Sequence, residues 1–167
     1  MPPGDALGIV AQISVALVGF TGVVVAFAAR ASHQWSRADR FRLQMLLTTS
    51  VMPLVFSLVG LSLLAMDLPP PLAFAIGSGV AGVLGFVSGG LIVRAFVRLP
   101  RGELEQAGAN RLLFHVTGVP QLAITLLQFY NAFALRAFWP FMLMIVATML
   151  ICVLQFVRLV LYSPGRA

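Results

Sequence analysis

Residues 68–93 read LPPPLAFAIGSGVAGVLGFVSGGLIV, which is 26 consecutive residues without Asp, Glu, Lys or Arg. An α-helix rises about 1.5 Å per residue, so a helix of this length reaches across a hydrocarbon core of about 30 Å. Four further stretches of 21 to 24 residues also lack these charges: residues 6–29, 43–66, 112–135 and 137–157. The sequence therefore predicts an all-α integral membrane protein, a bundle of five transmembrane helices that forms one domain over residues 1–167.

The composition agrees with burial in lipid. Of the 167 residues, 60% are hydrophobic and 10% are charged, whereas about 25% of the residues in soluble proteins are charged. The net charge is +6. Because the arginines that produce it flank the uncharged stretches, they are better explained by orientation in a membrane and contact with anionic headgroups than by nucleic-acid binding. We expect the lipid bilayer as a partner and no nucleic acid.

The arginines also predict an orientation. Ten of the eleven lie in the first and third connections or the C-terminal tail, and Arg136 alone lies in the fourth connection. The positive-inside rule then puts the N-terminus outside and the C-terminus in the cytoplasm. Trp35 and Tyr162 fall at the predicted cytoplasmic edges, and Tyr130 and Trp139 at the outer edges, where such side chains are enriched. Size and arginine usage suggest a multi-pass protein of the bacterial inner (plasma) membrane.

Small residues recur every four positions along the third predicted span, at Gly77, Ala81, Gly85 and Gly89. This spacing forms a groove into which another helix can press closely, held by dispersion and weak Cα–H···O contacts. We expect these four residues to pack against a helix, either in the same chain or in another copy.

The fourth span carries a polar face. Thr117, Gln121, Thr125 and Gln128 fall within roughly 80° of one another on a helix, and Pro120 removes one backbone hydrogen bond near them. Two interpretations remain open. These side chains line a permeation path, where they replace a solute's hydration, or they hydrogen-bond neighbouring helices.

The remaining polar residues give weaker indications. Arg37, Arg40 and Arg42 are candidates for contact with lipid headgroups, although topology alone explains them too. His33 and His115 are interpreted as interfacial residues, because no acid, Cys or second His stands at metal-ligand spacing within the spans. Catalytic and phosphate-binding motifs are missing from the sequence, so we expect no enzyme activity, no metal and no cofactor.

The leading functional hypothesis is a homo-oligomeric channel or transporter-like protein for ions or small solutes, with the fourth span nearest the path. In this hypothesis the chain associates with other copies of itself. The alternative is a non-conducting scaffold or accessory subunit of a larger membrane complex, which would bind a membrane or soluble protein partner. Solute flux in proteoliposomes, altered by Gln121→Leu, distinguishes the first hypothesis from the second.

Overall fold

The structure, a computed structural model, describes residues 1–31, 37–100 and 111–161. These residues form five α-helices, which confirms the all-α prediction. The helices are α1 Pro3–Ala31, α2 Arg37–Ala65, α3 Pro70–Val97, α4 Arg111–Tyr130 and α5 Phe138–Leu161. A π-helical segment, Asn131–Leu135, continues α4 by five residues. Trp35, His33 and Tyr162 lie outside the described residues.

The two described connections are short, and local chemistry explains each of them. Asp67 has a φ of 53°, which ends α2 in a left-handed turn, and α3 starts with proline, whose fixed φ suits the first turn of a helix. The π-helical segment ends at Arg136, which has a φ of 51° and donates its backbone N–H to the Asn131 carbonyl at 2.8 Å. Each turn therefore joins two antiparallel neighbours.

The helices pack as a ring of four with one helix outside. Within the described residues, α2 contacts α3 and α5, α4 contacts the same two helices, and α3 and α5 touch across the ring. The fifth member, α1, packs mainly on the outside of α2. The buried core joins α1, α2, α3 and α5 through the apolar side chains Leu7, Val10, Phe56, Ala81, Phe141, Met144 and Ile145.

The outer surface is apolar, as is typical of a protein solvated by lipid. Four helical segments are long and apolar enough to cross a membrane: Pro3–Phe27, Arg40–Ala65, Pro70–Val97 and Phe138–Arg158. Their mean hydropathies lie between 1.9 and 2.4. Among the described helices α4 is absent from this set, and it is the one that carries His115, Pro120 and two glutamines.

Candidate solute-binding cavity

A cavity of about 500 Å³ lies inside the ring of four helices. Its lining residues fall within 45–56 on α2, 85–93 on α3, 114–125 on α4 and 144–151 on α5. On α3 and α4 these residues lie nearer the end of the bundle where α2 and α4 begin. That end is called the arginine-bearing end, because Arg37, Arg94 and Arg98 lie there. The volume falls within the range of about 300–1,000 Å³ that is usual for small-molecule sites.

Glycine makes room for the cavity on the α3 side. A Cβ atom built at Gly89 or Gly90 would meet nothing within 4 Å, and the same holds for Gly118 on α4. Across the ring, α2 and α4 make at most marginal contact in the described part of the chain. The cavity therefore occupies space that side chains on α3 and α4 leave empty.

The wall is mainly apolar, and part of it reaches the outside of the bundle. Phe86 on α3 and Leu122 on α4 both line the cavity and are 58% and 51% exposed. Val93 and Val119, on the same two helices, are also lining residues with large exposed areas. The cavity thus extends to the surface along the seam between α3 and α4, on the side that would face lipid.

Most hydroxyl groups on the wall are already paired within their own helices. Thr49 donates to the Met45 carbonyl, Thr125 to the Gln121 carbonyl and Thr148 to the Met144 carbonyl, each at 2.8 Å. Such bonds to the preceding turn satisfy a hydroxyl without any external partner. The hydroxyls of these three residues can therefore accept a hydrogen bond from a ligand, but they have no hydrogen left to donate.

Gln121 differs from these residues, because it has a buried polar atom without a partner in the described part of the chain. Its Nε2 donates to Thr148 Oγ1 at 3.3 Å and to Met144 Sδ at 3.4 Å, which ties α4 to α5. Its Oε1 is buried and has no hydrogen-bond partner among the described residues. An unpaired amide oxygen in an apolar setting is costly, so a donor that reached it would gain a strong interaction.

The other end of the ring is closed by amides. Gln128 Nε2 donates to the Pro140 carbonyl at 2.8 Å, and Asn131 Nδ2 donates to Ser78 Oγ at 2.7 Å. Asn131 also exchanges two hydrogen bonds with the Ala137 backbone, at 2.9 and 3.0 Å. These contacts join α3, α4 and α5. Of the amide atoms of Gln128 and Asn131, only Gln128 Oε1 has no hydrogen-bond partner among the described residues.

A buried aromatic ring seals the same end. Phe141 is 0% exposed, and a Cβ atom at Gly77 on α3 or Gly60 on α2 would approach its ring at 3.3 or 2.9 Å. The two glycines therefore let the phenyl ring insert between α2 and α3. Within the described residues, the Phe141 ring and the amides of Gln128 and Asn131 separate the cavity from the end of the bundle at which Trp139 and Tyr130 lie.

At the arginine-bearing end, an aromatic cluster of Phe41, Phe96 and Phe114 bridges α2, α3 and α4. Phe96 and Phe114 stack with ring centroids 3.9 Å apart and an interplanar angle of 2°, and Phe41 lies 6.0 Å from Phe96. Phe114 also lines the cavity. The cluster therefore stands between the cavity and the arginine-bearing end.

Three of the four residues predicted to line a path, Thr117, Gln121 and Thr125, lie on the cavity wall. The fourth, Gln128, is fully buried at the closed end and bonds α5 instead. Three of the four residues therefore face a cavity, and the fourth bonds a neighbouring helix. Gln121 does both, because it lines the cavity and bonds α5. A permeation path along this face stays a prediction.

The small residues of α3 divide in a similar way. Gly77 packs against Phe141, Ala81 is buried in the core, and a Cβ at Gly85 would lie 2.6 Å from Met144 Cε. These three contact helices of the same chain. Gly89 faces open space at the cavity.

The three arginines predicted to contact lipid headgroups lie in the first two turns of α2, and the contact itself stays a prediction. Arg37 and Arg40 are exposed, and Arg42 is half-buried. His115 is exposed and borders the cavity. No group of three potential metal ligands occurs among the described residues.

Sequence reasoning missed Asn131, Phe141 and the aromatic cluster. Asn131 stands three residues beyond Gln128, so extending the polar face of α4 by one turn would have found it. The phenylalanines carry no comparable signal, because the chain has thirteen of them and only packing distinguishes their roles.

Comparisons of the chain with protein-family models, with curated proteins and with solved structures find no match.

Proposed function

We propose that the chain is a membrane-spanning, transporter-like protein that binds a small, mainly apolar solute in the cavity inside the helix ring. The observation that carries this proposal is a cavity of about 500 Å³ with the Gln121 amide in its wall. A ligand site of this kind combines an apolar lining with a few polar groups that fix orientation.

In this proposal all five helices cross the membrane, with the N-terminus outside and the C-terminus in the cytoplasm. Together α4 and the π-helical segment comprise 20 and 5 residues, so 25 residues span about 37 Å at a helical rise. The interior-facing glutamines lower the hydropathy of α4 without exposing amides to lipid. The arginine-bearing end then faces the cytoplasm, which for a bacterial chain makes this the inner membrane.

The chemistry of the wall limits the solute. Ions need charges or rings of carbonyl groups to replace their hydration, and Gln121 and a few hydroxyls do not supply them. An apolar molecule with one hydroxyl or N–H group fits better. It could enter from lipid along the seam between α3 and α4 and, once the Gln121 side chain turns to expose its buried Oε1, donate to that atom. We therefore favour small apolar solutes over ions.

The closed end favours a transporter-like mechanism over an open channel. A solute leaving toward the outer side would have to displace Phe141 and break the hydrogen bonds of Gln128 and Asn131. A pore between copies is also disfavoured, because Gln121 and Gln128 bond α5 of their own chain and so turn away from an axis outside it. Alternating opening at the two ends of one chain fits these contacts.

The competing proposal is the non-conducting scaffold. The exposed arginines Arg37 and Arg40 support it, because they could bind the acidic surface of a soluble partner. A scaffold has no use for an internal cavity of about 500 Å³, so we rank it second.

A cavity-filling variant tests the proposal. Gly89→Leu projects a side chain into the cavity, and nothing lies within 4 Å of the added Cβ. Ala123→Leu is the matched control, because Ala123 is exposed on α4 and is not among the cavity-lining residues. The assay measures thermal unfolding in nanodiscs with a panel of small alcohols, phenols and anilines and their charged analogues.

We expect at least one uncharged compound to stabilise the wild type and Ala123→Leu by mass action, about 2.7 kcal/mol at 100 times Kd. Gly89→Leu should show no such shift, and uptake of the same compound into proteoliposomes should follow the same order. Equal responses of the two variants would contradict the cavity as the site. Binding of a compound without its uptake would contradict transport but would leave the cavity as the binding site.

A further inference from the structure

Gln12 is a polar side chain in a position that lipid cannot satisfy. It lies nine residues after Pro3 on α1, which is about 13 Å along the helix. Its side chain is exposed, and it makes no hydrogen bond within the described part of the chain. If α1 spans the membrane as proposed above, this amide faces hydrocarbon, where an unpaired donor and acceptor are costly.

The residues around Gln12 form an unoccupied seam on α1. The seam consists of residues spaced alternately by four and three positions, which is the repeat of helices that cross in a left-handed pair. We call this set of residues the α1 seam. It consists of Gly8, Gln12, Val15, Gly19, Gly22 and Ala26. A Cβ atom at Gly8, Gly19 or Gly22 would meet nothing within 4 Å, so this surface has no partner within the described residues.

We propose that the α1 seam binds the α1 seam of a second copy of the chain, and that two Gln12 side chains pair across the interface. Copies of one chain insert in the same orientation, so their α1 helices run parallel and a two-fold axis along the membrane normal brings Gln12 opposite its equivalent at one depth. An amide carries both a donor and an acceptor, so the pair is self-complementary. Lipid tails offer neither group.

The inference rests on the membrane insertion given under the proposed function and not on the cavity. No α1 residue is among the cavity-lining residues, and α1 packs on the outside of α2. A dimer through α1 therefore leaves one complete cavity in each copy. It also gives Gln12 the role that a single polar residue has in a helix pair, which is to set the register.

Disulfide cross-linking in membranes tests the interface. Cys152 is the chain's one cysteine, so Cys152→Ser provides a background without thiols. Val15→Cys in this background places a thiol in the seam, and Ile13→Cys is the matched control on another face of α1. The two native side chains are 57% and 47% exposed, so neither substitution disturbs the core.

We expect Val15→Cys to form a disulfide-linked dimer on mild oxidation and Ile13→Cys to remain monomeric. Equal cross-linking of both positions, or cross-linking of neither in membranes that contain the protein, would overturn the interface. A Val15→Cys adduct with a different protein would also overturn it. Recovery of the chain in the soluble fraction would instead overturn membrane insertion, and the dimer with it.

Energy transfer between labelled copies in liposomes measures the part that Gln12 plays. Gln12→Leu should weaken association by about 3- to 30-fold, which corresponds to losing one or two interhelical hydrogen bonds. Gln12→Asn keeps the amide and should retain part of the affinity. Unchanged association of Gln12→Leu would overturn the amide pair.

Discussion

A single amide organises the closed end of the bundle. Asn131 Nδ2 donates to Ser78 on α3 and to the Ala137 carbonyl, while Asn131 Oδ1 accepts from the Ala137 N–H. The partners of Asn131 therefore lie outside its own helical segment: Ser78 is on α3, and Ala137 is in the connection before α5. The side chain thus fixes both the π-helical segment and the start of α5.

Replacing Asn131 should destabilise the fold more than replacing its partner on α3. Asn131→Ala removes three hydrogen bonds and should lower the free energy of unfolding by about 2–3 kcal/mol, whereas Ser78→Ala removes one and should cost about 1 kcal/mol. Reversible unfolding in mixed micelles measures both values. Equal losses for the two variants would contradict a central role for Asn131.

The sequence predicts the polar face at residue resolution but not how it is used. Thr117, Gln121, Thr125 and Gln128 share one face because helical periodicity requires it. Which of them meets a cavity depends on what α5 presents opposite: Thr148 and Met144 lie near Gln121, and the Pro140 carbonyl lies near Gln128. These are long-range contacts that no local pattern encodes.

At the scale of elements, uncharged length predicts the helices well. The five uncharged stretches each coincide with one helix, and the prolines at residues 69–71 mark the end of one helix and the start of the next, between Ala65 and Pro70. The π-helical segment could not be predicted in this way. Its first residue, Asn131, is bonded to Ser78, which lies 53 residues away, and no local pattern encodes such a contact.

The glycines of α3 show how one element serves two purposes. Gly77 and Gly85 admit Phe141 and Met144 of α5, while Gly89 leaves space. The small-residue repeat predicts close packing along the whole helix, yet α5 uses only part of it. The remainder of the repeat lines the cavity.

Two leucine substitutions on α3 should therefore differ in their effect on folding. Gly85→Leu places a Cβ 2.6 Å from Met144 Cε and 3.2 Å from Thr125 Oγ1, and such overpacking typically costs about 1–3 kcal/mol. Gly89→Leu meets no atom and gains helix propensity. We expect a lower folded yield by size-exclusion chromatography for Gly85→Leu only, and similar yields for both would contradict this packing.

For the whole molecule, the helix ring separates two environments with different chemistry. The aromatic cluster separates the cavity from the arginine-bearing end, and buried amides together with Phe141 close the opposite end. This asymmetry agrees with a protein that admits a solute from one side or from lipid and releases it after rearrangement. This interpretation of the asymmetry requires that the bundle lies in a membrane with the orientation that the arginines predict.

Thiol labelling of intact cells tests this claim most directly. In the Cys152→Ser background, Met66→Cys lies at the end of α2 proposed to face outward and Arg98→Cys at the arginine-bearing end, and both native side chains are exposed. With a membrane-impermeant maleimide, we predict that Met66→Cys is labelled on intact cells and that Arg98→Cys is labelled only after permeabilisation. The reverse pattern, or labelling of both sites or neither before permeabilisation, would contradict it.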